Sequence, residues 1–192
     1  MYKFLAGFAV LILCALLASC ATLSKAECEA GDWRSLGMSD GSRGLPLSQI
    51  DEHISACAKH QISVNRPLYE VGRTEGLKAY CHIDRAESDG KTGRPNYNSC
   101  TGYIGISFNR VYDKARIVYE TGRELDLARG RVDSGLDRIV VPGLSDVQRA
   151  KLKGDIFEAQ VKADFLGAQQ RREERALRIV YAEEERRLAE LR

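Results

Sequence analysis

The sequence predicts an all-α protein in which a small disulfide-stapled helical head is followed by a long antiparallel helical hairpin. Three observations predict it. Beyond Gly105 apolar residues recur in alternating three- and four-residue steps, no proline follows Pro142, and Cys28, Cys57, Cys81 and Cys100 cluster in the first part of the chain. The composition agrees, since 29% charged and 44% hydrophobic residues exclude a fully disordered chain and a polytopic membrane protein. A formal net charge of only +2 leaves no overall basic field to draw nucleic acid.

Residues 1–19 read as a removable export signal. Lys3 precedes an apolar run from Phe4 to Leu16, which is short for a membrane span, and small residues follow. Leu17-Ala18-Ser19-Cys20 resembles a bacterial lipobox, in which cleavage before the cysteine leaves it to carry the lipid chains. Cys20 is then the acylated (palmitate-bearing) N-terminus of a membrane-attached mature chain, and more than one acyl chain makes that attachment stable. Ala21 in place of aspartate favours the periplasmic face of the outer membrane of a Gram-negative bacterium.

Export changes how the other cysteines read. With Cys14 removed and Cys20 acylated, an even set remains for an oxidising compartment, and two disulfides are expected. If Cys57 and Cys81 end successive helices they lie about 20 Å apart, beyond the roughly 7 Å that a disulfide spans. Cys28–Cys57 with Cys81–Cys100 is favoured, and Cys28–Cys81 with Cys57–Cys100 stays open.

Along the mature chain, residues 20–30 read as a lipidated tether and residues 31–104 as the head. Glycines and prolines between positions 31 and 46, with Asp40-Gly41 at the centre, predict a loop. Ser48, with Asp51 three residues on, predicts a helix start, and Ile50, Ile54, Cys57 and Ala58 share its expected buried face. A second helix is expected from Asn65 and Pro67 to about Tyr80. Residues 82–97 are polar and turn-rich and read as a surface loop closed by a disulfide contributing roughly 3 kcal/mol.

Residues 105–192 form the expected hairpin. Phe108, Val111, Ala115, Val118, Gly122, Leu125, Arg129, Val132, Leu136 and Ile139 mark one seam. After Pro142-Gly143, Ser145 and Gln148 make a capping-box pair. Leu152, Ile156, Ala159, Ala163, Leu166, Gln170, Glu173, Leu177, Val180, Glu184, Arg187 and Leu191 continue as the second seam. That seam weakens past Leu166, so the distal part is expected to fray or to need a partner. A short echo, Tyr69-Glu70-Val71-Gly72-Arg73 against Tyr119-Glu120-Thr121-Gly122-Arg123, suggests two helices that each let another backbone approach at glycine, with the arginine pointing outward.

These residues resemble one family, the proteobacterial lipoproteins grouped as domain of unknown function 2799. The resemblance rests on the lipobox, Trp33, Gly37, Asp40-Gly41, Gly44, Ala56-Cys57, Tyr69, Gly72-Arg73, Gly76-Leu77, Tyr80-Cys81, Cys100, Tyr112 and the stretch Tyr119 to Arg123. The spacing from Cys81 to Cys100 is longer than the family's short connection. The resemblance implies a place and an architecture, with no catalytic residues and no cofactor to carry over.

Residues in a pattern that carries chemistry are few. His53, Cys57 and His60 share a helix face at i, i+4 and i+7, with Cys81-His82 as further donors, but pairing the cysteines removes the thiolates, and no metal is expected. There is no Gly-x-Ser-x-Gly elbow, and the glycine-rich stretch Asp40 to Gly44 lacks the lysine of a phosphate loop. The reading is a non-enzymatic envelope protein whose hairpin is a spacer or docking surface for an envelope protein, peptidoglycan or a second copy, without nucleic acid. The alternative is a ligand- or glycan-binding or hydrolase-inhibiting module in the loop 33–44, with Trp33, Asp40, Gly41 and Gly44 at its site.

Overall fold

The structure, a computed structural model, describes residues 22–191, so the expected signal, Cys14 and the lipidation site Cys20 lie outside the described residues. Among the described residues there are seven helices and no strand: α1 Lys25–Ala30, α2 Trp33–Ser42, α3 Gln49–Ala58, α4 Arg66–Tyr80, α5 Ile83–Thr92, α6 Gly102–Ile139 and α7 Asp146–Glu190. They form two compact units that divide at Tyr80/Cys81. The expected head boundary near position 104 therefore falls inside the second unit, because α5 packs along α6.

In the first unit, α1 opens with a complete Ser24/Glu27 capping box, and its Cys28 is bonded to Cys57 at the end of α3. Leu23, Cys28, Trp33, Ile50, Ala56, Cys57 and Tyr69 make one core. The segment read as a tether is thus packed into the head from Leu23 onward. The segment read as a loop is helix α2. Its glycines turn the chain at Gly31 and Gly44, on either side of the helix, whereas Gly37 and Gly41 lie within it against α4. Helix α3 starts where Ser48 predicts, but Ser48 has helical dihedrals and makes no side-chain cap. Its buried face carries Ile50, His53, Ala56 and Cys57, while Ile54 stays 36% exposed, because the imidazole has polar partners inside.

In the second unit, Cys81 bonds to Cys100, so both disulfides follow the favoured pairing. The polar segment 82–97 is largely helix α5, amphipathic through Ile83, Ala86, Asp89 and Gly90, all buried against α6. Helices α6 and α7, about 57 and 68 Å long at 1.5 Å per residue, run antiparallel with the Ser145/Gln148 capping box formed at the turn. Arg149 reaches back and donates to the Ile139 carbonyl at 2.7 Å, tying α7 to the end of α6.

The seam on α6 follows the expected positions to Leu125, then shifts to Ala128 and Gly135, leaving Leu136 about half exposed. A straight helix drifts about 20° per heptad, so a strict 3.5-residue pattern loses register over this length. The α7 seam holds as far as Glu184, with Leu177 and Glu184 only 1% exposed, and ends there, since Arg187 and Leu191 are exposed. The expected fraying past Leu166 is corrected: the distal seam is completed within the chain.

Candidate functional site

Asp40 is the most connected polar residue of the first unit. Helix α2 carries it in its last turn, fully buried, where Tyr69 Oη donates to Oδ2 at 2.7 Å. His53 Nε2 lies 2.8 Å from the same oxygen, and Arg43 donates to Oδ1. Burial pushes the Asp40 carboxyl up, but the hydrogen bonds from His53, Tyr69 and Arg43 more than offset it and hold it below the ordinary range. Burial, and then the bond to Asp40, push the Tyr69 phenol well up, so it stays a donor. The other imidazole nitrogen of His53 lies 3.1 Å from the exposed Thr22 hydroxyl. Hydroxyl, imidazole and carboxylate thus stand in a row that clasps the segment ahead of α1 to α3 and α2.

Of the residues assigned to a ligand loop, Trp33 lies in the core, Asp40 is enclosed as above, and Gly41 and Gly44 are packing positions. A Cβ on Gly41 would meet the Arg73 carbonyl oxygen at 2.2 Å, and one on Gly44, in the left-handed region at φ 71°, would meet the Tyr80 ring. The helix-face donors part company too: Cys57 is in a disulfide and His53 faces Asp40. Among the described residues no group of three His, Cys, Asp or Glu side chains is placed to hold a metal ion.

The second unit repeats this construction. In the first, Gly72 faces the Arg34 carbonyl, Gly76 that of Met38, and Gly44 the Tyr80 ring, so α2 and α4 run parallel. In the second, Gly90 meets Tyr112 and Arg116, and Gly93 meets the Tyr119 ring, so α5 and α6 also run parallel. Both short helices end in the same way. Gly44 N–H donates to the Gly41 carbonyl and Leu45 N–H to that of Asp40; Gly93 N–H donates to Gly90 and Arg94 N–H to Asp89. Arg73 then donates to the Leu45 carbonyl, as the Tyr112 hydroxyl does to that of Arg94. Cys81–Cys100 staples the starting ends of α5 and α6, whereas Cys28–Cys57 joins the segments that lead into α2 and α4, namely α1 and the end of α3.

The copies run from Cys28 to Tyr80 and from Cys81 to Tyr119. They put Tyr80, not Tyr69, in correspondence with Tyr119, which replaces the echo read from sequence. Gly122 approaches only the Gln170 side chain, and Arg73 points inward to hold the turn that follows α2. The second copy has Phe108 where the first has Tyr69, and its buried Asp89 is instead flanked by Arg85 and Arg94 of its own helix and cap.

The hairpin carries a second polar constellation. Glu184 accepts from Ser107 Oγ at 2.8 Å and from Arg110 Nη1 at 2.7 Å. Burial raises its carboxyl, and the bonds from Ser107 and Arg110 outweigh that and hold it below the ordinary range. Tyr181 donates to Asp84, and that bond pushes the phenol up to about 12. Shallow grooves run between α6 and α7, one bordered by Arg129, Asp133, Asp164 and Arg171, the other by Gly130, Gly135 and Ile156. On the outward side of α7, Val147, Phe157, Val161 and Phe165 are 80, 69, 53 and 62% exposed. The four-residue spacing of Phe157, Val161 and Phe165 is present in the sequence beside the seam pattern of the same helix.

Fold and sites together define an all-α, disulfide-stapled protein built from a duplicated parallel helix pair, with a helical hairpin growing out of the second copy. Residues 32–116, which hold most of both copies, match the family model described as protein of unknown function (DUF2799), and this part of the chain is a domain of that family. No curated protein and no solved structure matches the chain. No helix among the described residues is long and apolar enough to cross a membrane.

Proposed function

We propose that the protein is a non-enzymatic lipoprotein of the bacterial cell envelope, anchored through Cys20 at the periplasmic face of the outer membrane, whose hairpin serves as a spacer and docking surface. The observation that carries the docking role is the outer face of α7, which leaves Phe157, Val161 and Phe165 exposed on a helix whose inner seam is already complete. A paired helix of this length is stiff, and exposed aromatic and aliphatic side chains in helical register are what a partner helix or groove takes up. The polar groups of the head support a structural role, since the row Thr22–His53–Asp40 is engaged in packing. The test is photo-crosslinking in intact cells from probes at the exposed positions Lys162 and Glu185, with mass identification of adducts. A specific adduct supports the role; no adduct from either probe, together with unchanged envelope integrity on removal of residues 144–192, contradicts it.

A further inference from the structure

We infer that the outer face of α7 pairs with the same face of a second copy of this chain, antiparallel and about a two-fold axis near position 159; this rests on the docking role proposed above and names its partner. On a helical wheel Val147, Gly154, Phe157, Val161 and Phe165 lie roughly opposite the seam residues Leu152, Ala159, Ala163 and Leu166. The face therefore points away from α6. Its chemistry selects among partners. Between positions 151 and 164 Lys151, Lys153 and Lys162 balance Asp155, Glu158 and Asp164, so the border is neutral and mixed, unlike the basic border that seeks anionic lipid.

A mixed border satisfies itself when the helix meets its own copy in reverse. In the antiparallel register that places Phe157 against the other copy's Val161, Lys153 comes opposite Asp164, and symmetry makes each contact twice. The same register sets Phe165 over Gly154, where nothing lies within 4 Å of the position a Cβ would take. A large ring thus meets the bare stretch of the other helix, as knob and hole. Glu158 lies beside the axis, with Lys162 one turn away to balance it.

The experiment is sedimentation equilibrium on the full mature chain with its disulfides intact, across a range of concentrations. The wild-type chain is expected to be a reversible dimer, and Phe157→Glu with Phe165→Glu to be monomeric with unchanged helicity and melting temperature, since both side chains are exposed. Lys153→Asp is expected to weaken the dimer about tenfold, and the double swap Lys153→Asp/Asp164→Lys to restore it. A chain still monomeric at about 1 mM, a dimer indifferent to the glutamates, or a swap that fails to restore pairing overturns the proposal. If cells then yield an adduct with a different protein from Lys162, only the identity of the partner falls; if neither probe yields one and removal of residues 144–192 leaves envelope integrity unchanged, the docking role falls with it.

Discussion

The hydroxyl of Ser107 and the carboxylate of Glu184 lie 77 positions apart in sequence and 2.8 Å apart in the fold. Both are buried, one near the start of α6 and the other near the end of α7, so the bond pins the open end of the hairpin as Arg149 pins the turn. Against the cost of burial, the bonds from Ser107 and Arg110 and the charges of Arg187 and Arg110 keep Glu184 ionised there.

That arrangement makes the hairpin acid-sensitive. Because the folded carboxyl titrates below the ordinary value of 4.5, its stabilisation is complete above that value and is lost as pH falls through the lower folded value. Glu184→Gln should cost about 1–2 kcal/mol at pH 7, and the gap to wild type should close on acidification. Thermal melts of both chains between neutral and acid pH measure this; a gap independent of pH contradicts it.

Glycine substitutions should split by place. A Cβ at position 72 would lie 1.9 Å from the Arg34 carbonyl oxygen, so Gly72→Ala must push α2 and α4 apart and should cost about 3 kcal/mol. Gly130 is helical with nothing within 4 Å, and Gly130→Ala should stabilise by about 0.5–1 kcal/mol. Denaturant unfolding of the two variants gives both signs.

The two copies differ at one buried hydroxyl, and that difference is testable. Tyr69→Phe gives the first copy the residue found at Phe108 in the second and should cost about 1–2 kcal/mol, because Asp40 keeps His53 and Arg43. Asp40→Ala strands all three partners and should cost about 3–5 kcal/mol. Equal losses for the two variants, read by denaturant unfolding, would contradict the larger role of the carboxylate.

The hairpin was legible because a long 3-4 pattern, a Pro-Gly turn and a capping box all point to the same element. The short helices α2 and α5 were not, because Asp40-Gly41 and Asp89-Gly90 carry the signature of turns while Gly41 and Gly90 serve close helix approach. Only Gly44 and Gly93 make the turn that the pattern announces. The duplication stayed hidden because the cysteines are 29 positions apart in one copy and 19 in the other. His53 was read as a helix-face donor, since its partners Thr22, Asp40 and Tyr69 converge only in the fold. Helix length disfavours joining Cys57 to Cys81 and so removes one of three pairings; the choice between the other two is made only by the fold, which joins Cys28 to Cys57 and Cys81 to Cys100.

The central claim is that α7 completes its inner seam within the chain and keeps only its outer face for a partner. Amide hydrogen exchange on the mature chain carrying Phe157→Glu and Phe165→Glu tests this most directly, since pairing through the stripe is then removed. Slow exchange is expected along α7 through Leu177 to Glu184. Rapid exchange beyond Gly167 in that variant would show that the distal helix depends on another chain, and would contradict it.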